Sequence, residues 1–330
     1  MTNPIFLLGA GFNYDAKEVA GKIIGQSIYY GKYEMNCKYP LGSEMGRICF
    51  PGEQIQASSS VEERLNDSIK NRNYGPVGLL YDAIMQADYL LAPKLLKPHS
   101  NCYTTFLDKF KESSFLTFNY DSLVELFLLK LGYWYPHDGY GVPVEVSLPW
   151  NIETDDVRKA DYLKKQSKSL VIHLHGSLCI YIQDIEVCNN LIELKENPTF
   201  KFDPNSITKL FYPYEKARMD LSYSPNLSER VIAPIPDKTE GLKKDFISLM
   251  YHTGQELLKT STMLIVIGYN FSLPDICSYH KLLCNWEGNS LIISPNATEL
   301  TSRMESEFPE IEWDSRPISF KKWADDGFVI

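Results

Sequence analysis

Short runs of apolar and β-branched residues punctuate the chain at 4–8, 115–118, 169–174, 263–267 and 290–293, each bounded by turn-forming or polar residues. Continuous runs of this length fit strands buried on both faces of a parallel sheet. Between several of them the apolar spacing changes. Leu123, Phe127 and Leu131 recur at helical intervals, as do Leu242, Phe246, Leu249, Met250 and Leu257. Alternation of strands and helices predicts an α/β, doubly wound, Rossmann-like fold with a mostly parallel sheet.

Two stretches break the alternation. The segment from about 21 to 114 is too long for one crossover and carries helical patterns such as 77–91, so it reads as a mainly helical insertion. The segment from about 180 to 230 is rich in Pro, Asn, Ser and Tyr and reads as an irregular insertion. No internal repeat interrupts the chain, and residues 1–330 read as a single domain with these two insertions.

Composition narrows the function classes. The chain has 330 residues, 44% of them hydrophobic, enough for a sizeable core. Its formal charge of −9 disfavours generic nucleic-acid binding. No apolar run approaches the roughly 20 residues of a membrane helix, and the apolar opening lacks a basic leader. The seven cysteines form no C-x-x-C pair, which argues against a zinc ribbon, and their odd number fits reduced thiols in a cytoplasm. N-x-S/T triplets such as those at Asn66, Asn226 and Asn296 then carry no glycosylation meaning.

Four motifs carry candidate chemistry. Gly9-Ala10-Gly11-Phe12-Asn13-Tyr14-Asp15 follows the first strand; glycines there let the backbone turn sharply and approach a pyrophosphate. Tyr14 replaces the third glycine of G-x-G-x-x-G, and a glycine turn without a ligand explains the residues as well. Thr117-Phe118-Asn119-Tyr120-Asp121 ends the second strand, where ligands of open α/β sheets sit; Ser122 and Glu125 form a capping box there. In His173-Leu174-His175-Gly176, alternation puts both imidazoles on one face if the strand continues. No third ligand is near in sequence, so no metal is expected. Gly176 ends that strand and leaves His175 at its rim. Gly268-Tyr269-Asn270-Phe271-Ser272 precedes a second capping box, Ser272 with Asp275, and the next strand ends at Asn296.

Taken in this order, Gly9-Ala10-Gly11, Thr117-Phe118-Asn119-Tyr120-Asp121, His175-Gly176 and Gly268-Tyr269-Asn270-Phe271-Ser272 resemble the sirtuin-like family, especially its prokaryotic NAD-cleaving branch of anti-phage defence. The resemblance covers about half the chain. The chain departs from the family's deacetylases, lacking their four-cysteine zinc module and their Gly-Ile-Pro-Asp-Phe-Arg loop, and Leu273 replaces an Asp of many relatives. The resemblance therefore implies NAD as a substrate, with no metal, rather than deacetylation.

The expected reaction is cleavage of the nicotinamide–ribose bond to nicotinamide and ADP-ribose. Two alternatives are a non-catalytic NAD or ADP-ribose sensor and an ADP-ribosyl transferase. By family analogy Asn119 hydrogen-bonds the nicotinamide ribose or the attacking water. His175 is the candidate general base, on the premise of an imidazole pKa near 6.5. The turn at 9–11 and the helix N-terminus after it are expected to hold the diphosphate. Phe12, Asn13, Asp15, Thr117, Asp121, Gly268, Tyr269, Ser272 and Asn296 complete the expected binding residues. A cytoplasmic NAD-consuming enzyme needs gating, so a homo-oligomer or a partner protein is expected, with 77–91 as the candidate contact surface, although burial inside the monomer is the simpler reading of that segment.

Overall fold

The structure, a computed structural model, describes residues 3–27, 31–35, 38–40, 43–52, 61–96, 101–146, 165–178, 180–188, 191–202 and 231–330. Its strands are β1 (Ile5–Leu8), β2 (Ile23–Ser27), β3 (Gly31–Met35), β4 (Ser114–Thr117), β5 (Glu145–Val146), β6 (Val171–His173), β7 (Ile180–Cys188), β8 (Leu191–Phe202), β9 (Met263–Ile267), β10 (Asn289–Ile293) and β11 (Glu312–Arg316). Its α-helices are α1 (Ala16–Ala20), α2 (Ser43–Cys49), α3 (Val61–Lys70), α4 (Gly75–Leu95), α5 (Cys102–Lys109), α6 (Leu123–Leu131), α7 (Thr239–Leu242), α8 (Asp245–Leu258), α9 (Ile276–Leu283), α10 (Ala297–Glu307) and α11 (Phe320–Asp325).

Six strands form one parallel sheet in the order β11-β10-β9-β1-β4-β6. Numbered among themselves along the chain, they lie 3-2-1-4-5-6, the doubly wound dinucleotide-fold order, whose connections reverse between β1 and β9. The α/β reading of the sequence holds. The five apolar runs correspond to β1, β4, β6, β9 and β10 within two residues. All four residues of β1 are buried, as a strand covered on both faces requires. The sixth strand, β11, has no apolar run; at the sheet edge only Trp313 needs to be buried.

Beneath β1 and β4 an aromatic cluster joins Phe6, Phe12, Tyr103, Phe106, Phe110 and Phe115 to Phe320 and Trp323 of α11. Burying rings of this size dominates local core energetics. The Tyr103 hydroxyl also donates to the Phe12 carbonyl at 2.8 Å, which fixes the turn after β1 against α5.

Three expectations change. The 21–114 segment is mainly helical, but an antiparallel β2–β3 ribbon opens it. The 180–230 segment is not irregular throughout, because β7 and β8 pair antiparallel; 189–190 and 203–230 lie outside the described residues. The 77–91 stretch belongs to α4 and is spent inside the chain. Val77, Leu80, Tyr81, Ile84 and Met85 pack with Cys49, Phe50 and Leu65, while Ala87, Leu91, Ala92 and Leu95 join the main core. Among the described side chains of 77–91, the one large exposed apolar residue is Leu79.

Candidate functional site

The turns after β1 and β9 meet at the reversal point, backbone against backbone. Gly9 N–H donates to the Ile267 carbonyl at 3.0 Å and Gly11 N–H to the Gly268 carbonyl at 2.9 Å. A Cβ on Gly9 would lie 2.6 Å from Tyr269 Cα, and one on Gly11 2.8 Å from Gly268 Cα. Contacts that short exclude any side chain. The glycines thus join two turns, and the amides of Gly9, Gly11 and Phe12 are taken by protein carbonyls. The turn expected to hold the diphosphate thus has three of its amides already bonded. The helix that follows, α1, has five residues and begins only after a 3-10 turn over Ala10–Asn13.

Above these turns opens a cavity of about 520 Å³, within the range of small-molecule sites. Ala10, Gly11, Asn13, Asn119, Asp121, His175, Gly268, Tyr269 and Ser272 line it, so residues from all four motifs converge on one space. Gly9, Phe12, Asp15, Thr117 and Asn296 do not line it. Gly9 and Thr117 support it from behind: the Gly9 carbonyl accepts from Asn119 Nδ2 at 3.1 Å, and Thr117 Oγ1 accepts from the Asn119 amide at 3.0 Å. Phe12 is core, Asp15 precedes α1, and Asn296 is exposed ahead of α10.

Asp121 is buried at the floor. Its Oδ2 accepts from Asn13 Nδ2 at 2.6 Å and its Oδ1 from the Leu123 amide at 3.3 Å, so it meets both the cavity and the start of α6. The amide oxygen of Asn13, Oδ1, has no hydrogen-bond partner among the described residues although Asn13 is buried. Burial and the neighbouring Asp88 and Glu125 carboxylates push Asp121 up to about 7. The expected capping box does not form. Ser122 Oγ instead donates to Asp88 at 2.9 Å, and Glu125 turns inward to His173.

This electrostatic arrangement has a measurable consequence. Asp121 holds its proton in the fold to a higher pH than in the unfolded chain, so its contribution to stability falls as pH rises from about 3.8 to about 7. Asp121→Asn should therefore gain stability relative to the parent across that window and show a constant difference above it. Denaturant titrations at a series of pH values measure this; a pH-independent difference would contradict it.

The two histidines part company. β6 ends at His173, and Gly176, at φ +86°, turns the chain beyond it. His173 lies below the cavity, with Nδ1 3.0 Å from the Asn119 carbonyl and Nε2 2.5 Å from Glu125 Oε1. Both ring nitrogens face acceptors, which suits the imidazolium. Burial opposes the charge, but Glu125, the Asn119 carbonyl and Asp121 together outweigh it and raise the His173 pKa. His175 lines the cavity with its ring 4.7 Å from that of Phe118 and its Nε2 3.2 Å from Ser278 Oγ. It is buried rather than at an open rim. Burial, reinforced by Lys238, pushes it down to about 3, with Asp275 opposing, so the premise of an unperturbed imidazole fails in the free protein.

Sequence reasoning missed Lys238 and Glu62 and gave Asp275 only a capping role. Lys238 Nζ lies 2.6 Å from Asp275 Oδ1, and both side chains line the cavity with Glu62. Ser272 Oγ donates to Asp275 Oδ2 at 2.9 Å, so that pair joins side chain to side chain instead of capping a helix. Lys238 sits in no motif. Its only signal in the sequence is its lying shortly before the amphipathic pattern of α8.

No family model matches the sequence, and no curated protein matches it. Among solved structures the chain is similar to a Sir2–p53 peptide–NAD+ complex, at TM-score 0.37 and 15% identity over 99% of this chain and 94% of that one. It is also similar to a Sir2 homolog–NAD complex, at TM-score 0.38 and 12% identity over 98% and 87%. Likeness at that level assigns this chain neither ligand nor reaction, which rest on its own residues.

Proposed function

We propose that the chain binds NAD in the crevice between β1 and β9 and cleaves its nicotinamide–ribose bond. The observation that carries this reading is the convergence of Asn119 and Asp121, from one sequence motif, and His175, from another, on one cavity at the topological switch point. In the reaction the C1′–N bond breaks with its electron pair passing to the nicotinamide ring. Water oxygen then bonds to C1′, and its proton leaves through a side-chain base, giving nicotinamide and ADP-ribose. Departure of the base leaves an oxocarbenium-like ribose. Glu62 and Asp275 give the lining an acidic character suited to that positive charge. Asn119 is the amide that orients the ribose hydroxyls or the water, and His175 is the base. No step requires a metal.

Binding is tested by calorimetry with NAD. Ala10, exposed at the cavity mouth, offers a place to block it. Stoichiometric binding that Ala10→Trp abolishes supports the reading; no binding, or binding that ignores the tryptophan, contradicts it.

A second reading is favoured by one observation, the neutrality of buried His175. On that reading the site senses NAD or ADP-ribose without cleaving it, and NAD stays intact while bound. Transfer of ADP-ribose to another acceptor shares the first chemical step and differs only in what replaces water.

We place the enzyme in a cytoplasm and, on the four-motif resemblance, in anti-phage defence. Among the described residues no helix is long and apolar enough to cross a membrane. Free destruction of NAD would harm the host, so activity is gated through self-association or a partner protein. Specific activity should then rise with concentration in a dilution series followed by light scattering. Full activity in a dilute monomer would contradict this.

A further inference from the structure

Asp275 has two neighbours for one oxygen. Its Oδ1 lies 2.6 Å from Lys238 Nζ and 3.9 Å from His175 Nε2, about 1 Å beyond hydrogen-bond contact with the imidazole. The other oxygen is held by Ser272. Lys238 is buried, yet it is the one lysine or arginine among the described residues that line the cavity. Its further contact is the Pro274 carbonyl at 3.4 Å. A lone cation in a site lined by Glu62, Asp121 and Asp275 is the natural receptor for an anionic ligand group. The amides of Gly9, Gly11 and Phe12, which might compete for that role, are already bonded.

The groups facing His175 are few. Asp275 and Ser278 come from the turn before α9 and from α9, and Lys238 from the residue before α7. Phe118 and Tyr120 come from the end of β4. Tyr251 of α8 stands behind Ser278, and Glu62 of α3 acts on Lys238 and Asp275. Burial disfavours charge at His175, Asp275 favours it and Lys238 opposes it, with Glu62 acting on those two at one remove.

We propose that Lys238 and Asp275 form a ligand-operated switch on His175. An anionic group of the bound ligand, the diphosphate in the reading above, draws Lys238 away, and the freed carboxylate pairs with the imidazole and makes it a proton acceptor. The proposal rests on the NAD reading only for the identity of the anion. It reconciles a buried histidine that is neutral in the free protein with a base that works in the complex. An imidazole oriented and charged by a buried carboxylate is a recurrent catalytic arrangement. Lys238 is here a ligand-binding residue, and Asp275 a positioning residue that acts through His175.

The test follows the His175 ring by NMR titration of the full chain, using ADP-ribose as the probe. Without ligand, His175 should remain neutral down to pH values well below 6. Saturating ADP-ribose should raise its pKa by at least about one unit, a tenfold gain in proton affinity. Lys238→Met should raise it with no ligand present, Lys238→Arg should leave it low, and Asp275→Asn should remove the response to ligand. A free His175 titrating near 6.5, or one unmoved while ADP-ribose binds, would overturn the switch. Should ADP-ribose fail to bind, the NAD reading fails. The Lys238→Met titration in the free protein then still decides the switch, with Asp275→Asn as its control.

Discussion

His175→Gln should lower NAD turnover by about 10²–10⁴-fold, the usual cost of losing a general base. Glutamine is preferred to alanine because His175 is buried against Phe118, and a deeper truncation would add a cavity to the chemical loss. The loss should fall on kcat, since the imidazole takes its proton only as water attacks. Asn119→Ala should give a loss of similar kind at little structural cost. It removes one bond to the Gly9 carbonyl, worth about 1 kcal/mol. Unchanged turnover in a folded His175 variant would show that the proton goes elsewhere, and Asp121, held near 7, would be the next group to test.

Gly268→Ala should destabilise the fold by about 2–5 kcal/mol, the sum of a left-handed backbone cost and an overpacking cost. Gly268 stands at φ +63°, and a Cβ there would lie 2.3 Å from the Phe12 amide nitrogen and 2.6 Å from Gly11 Cα. Backbone on both sides leaves no flexible side chain to yield. The two turns would separate, which also widens the crevice, so ligand affinity should fall with stability. Chemical denaturation measures the first effect. A change below about 0.5 kcal/mol, the size of an ordinary surface substitution, would mean that the turns are not locked.

The parallel sheet was legible because its central strands are buried on both faces and so must be apolar throughout. β11 escaped because an edge strand with a single buried residue, Trp313, carries no such pattern. Asn119, Asp121 and His175 were legible because strand ends are where a doubly wound sheet presents side chains. Their partners were not. Glu125 has the spacing of a capping residue, and only the packing of α6 against β6 turns it to His173. Lys238 and Asp275 meet across elements far apart in sequence, and nothing local announces a pair that forms only in three dimensions. The glycines were found for an incomplete reason: they admit another backbone before they admit any ligand.

The central claim is that this crevice cleaves NAD. The most direct measurement is chromatography of products after incubating the purified chain, over a range of protein concentrations, with NAD. The account predicts nicotinamide and ADP-ribose in equal amounts, insensitive to chelator and lost in the folded Asn119→Ala variant. NAD recovered intact at every concentration, despite stoichiometric binding, would contradict it and leave a sensor in its place.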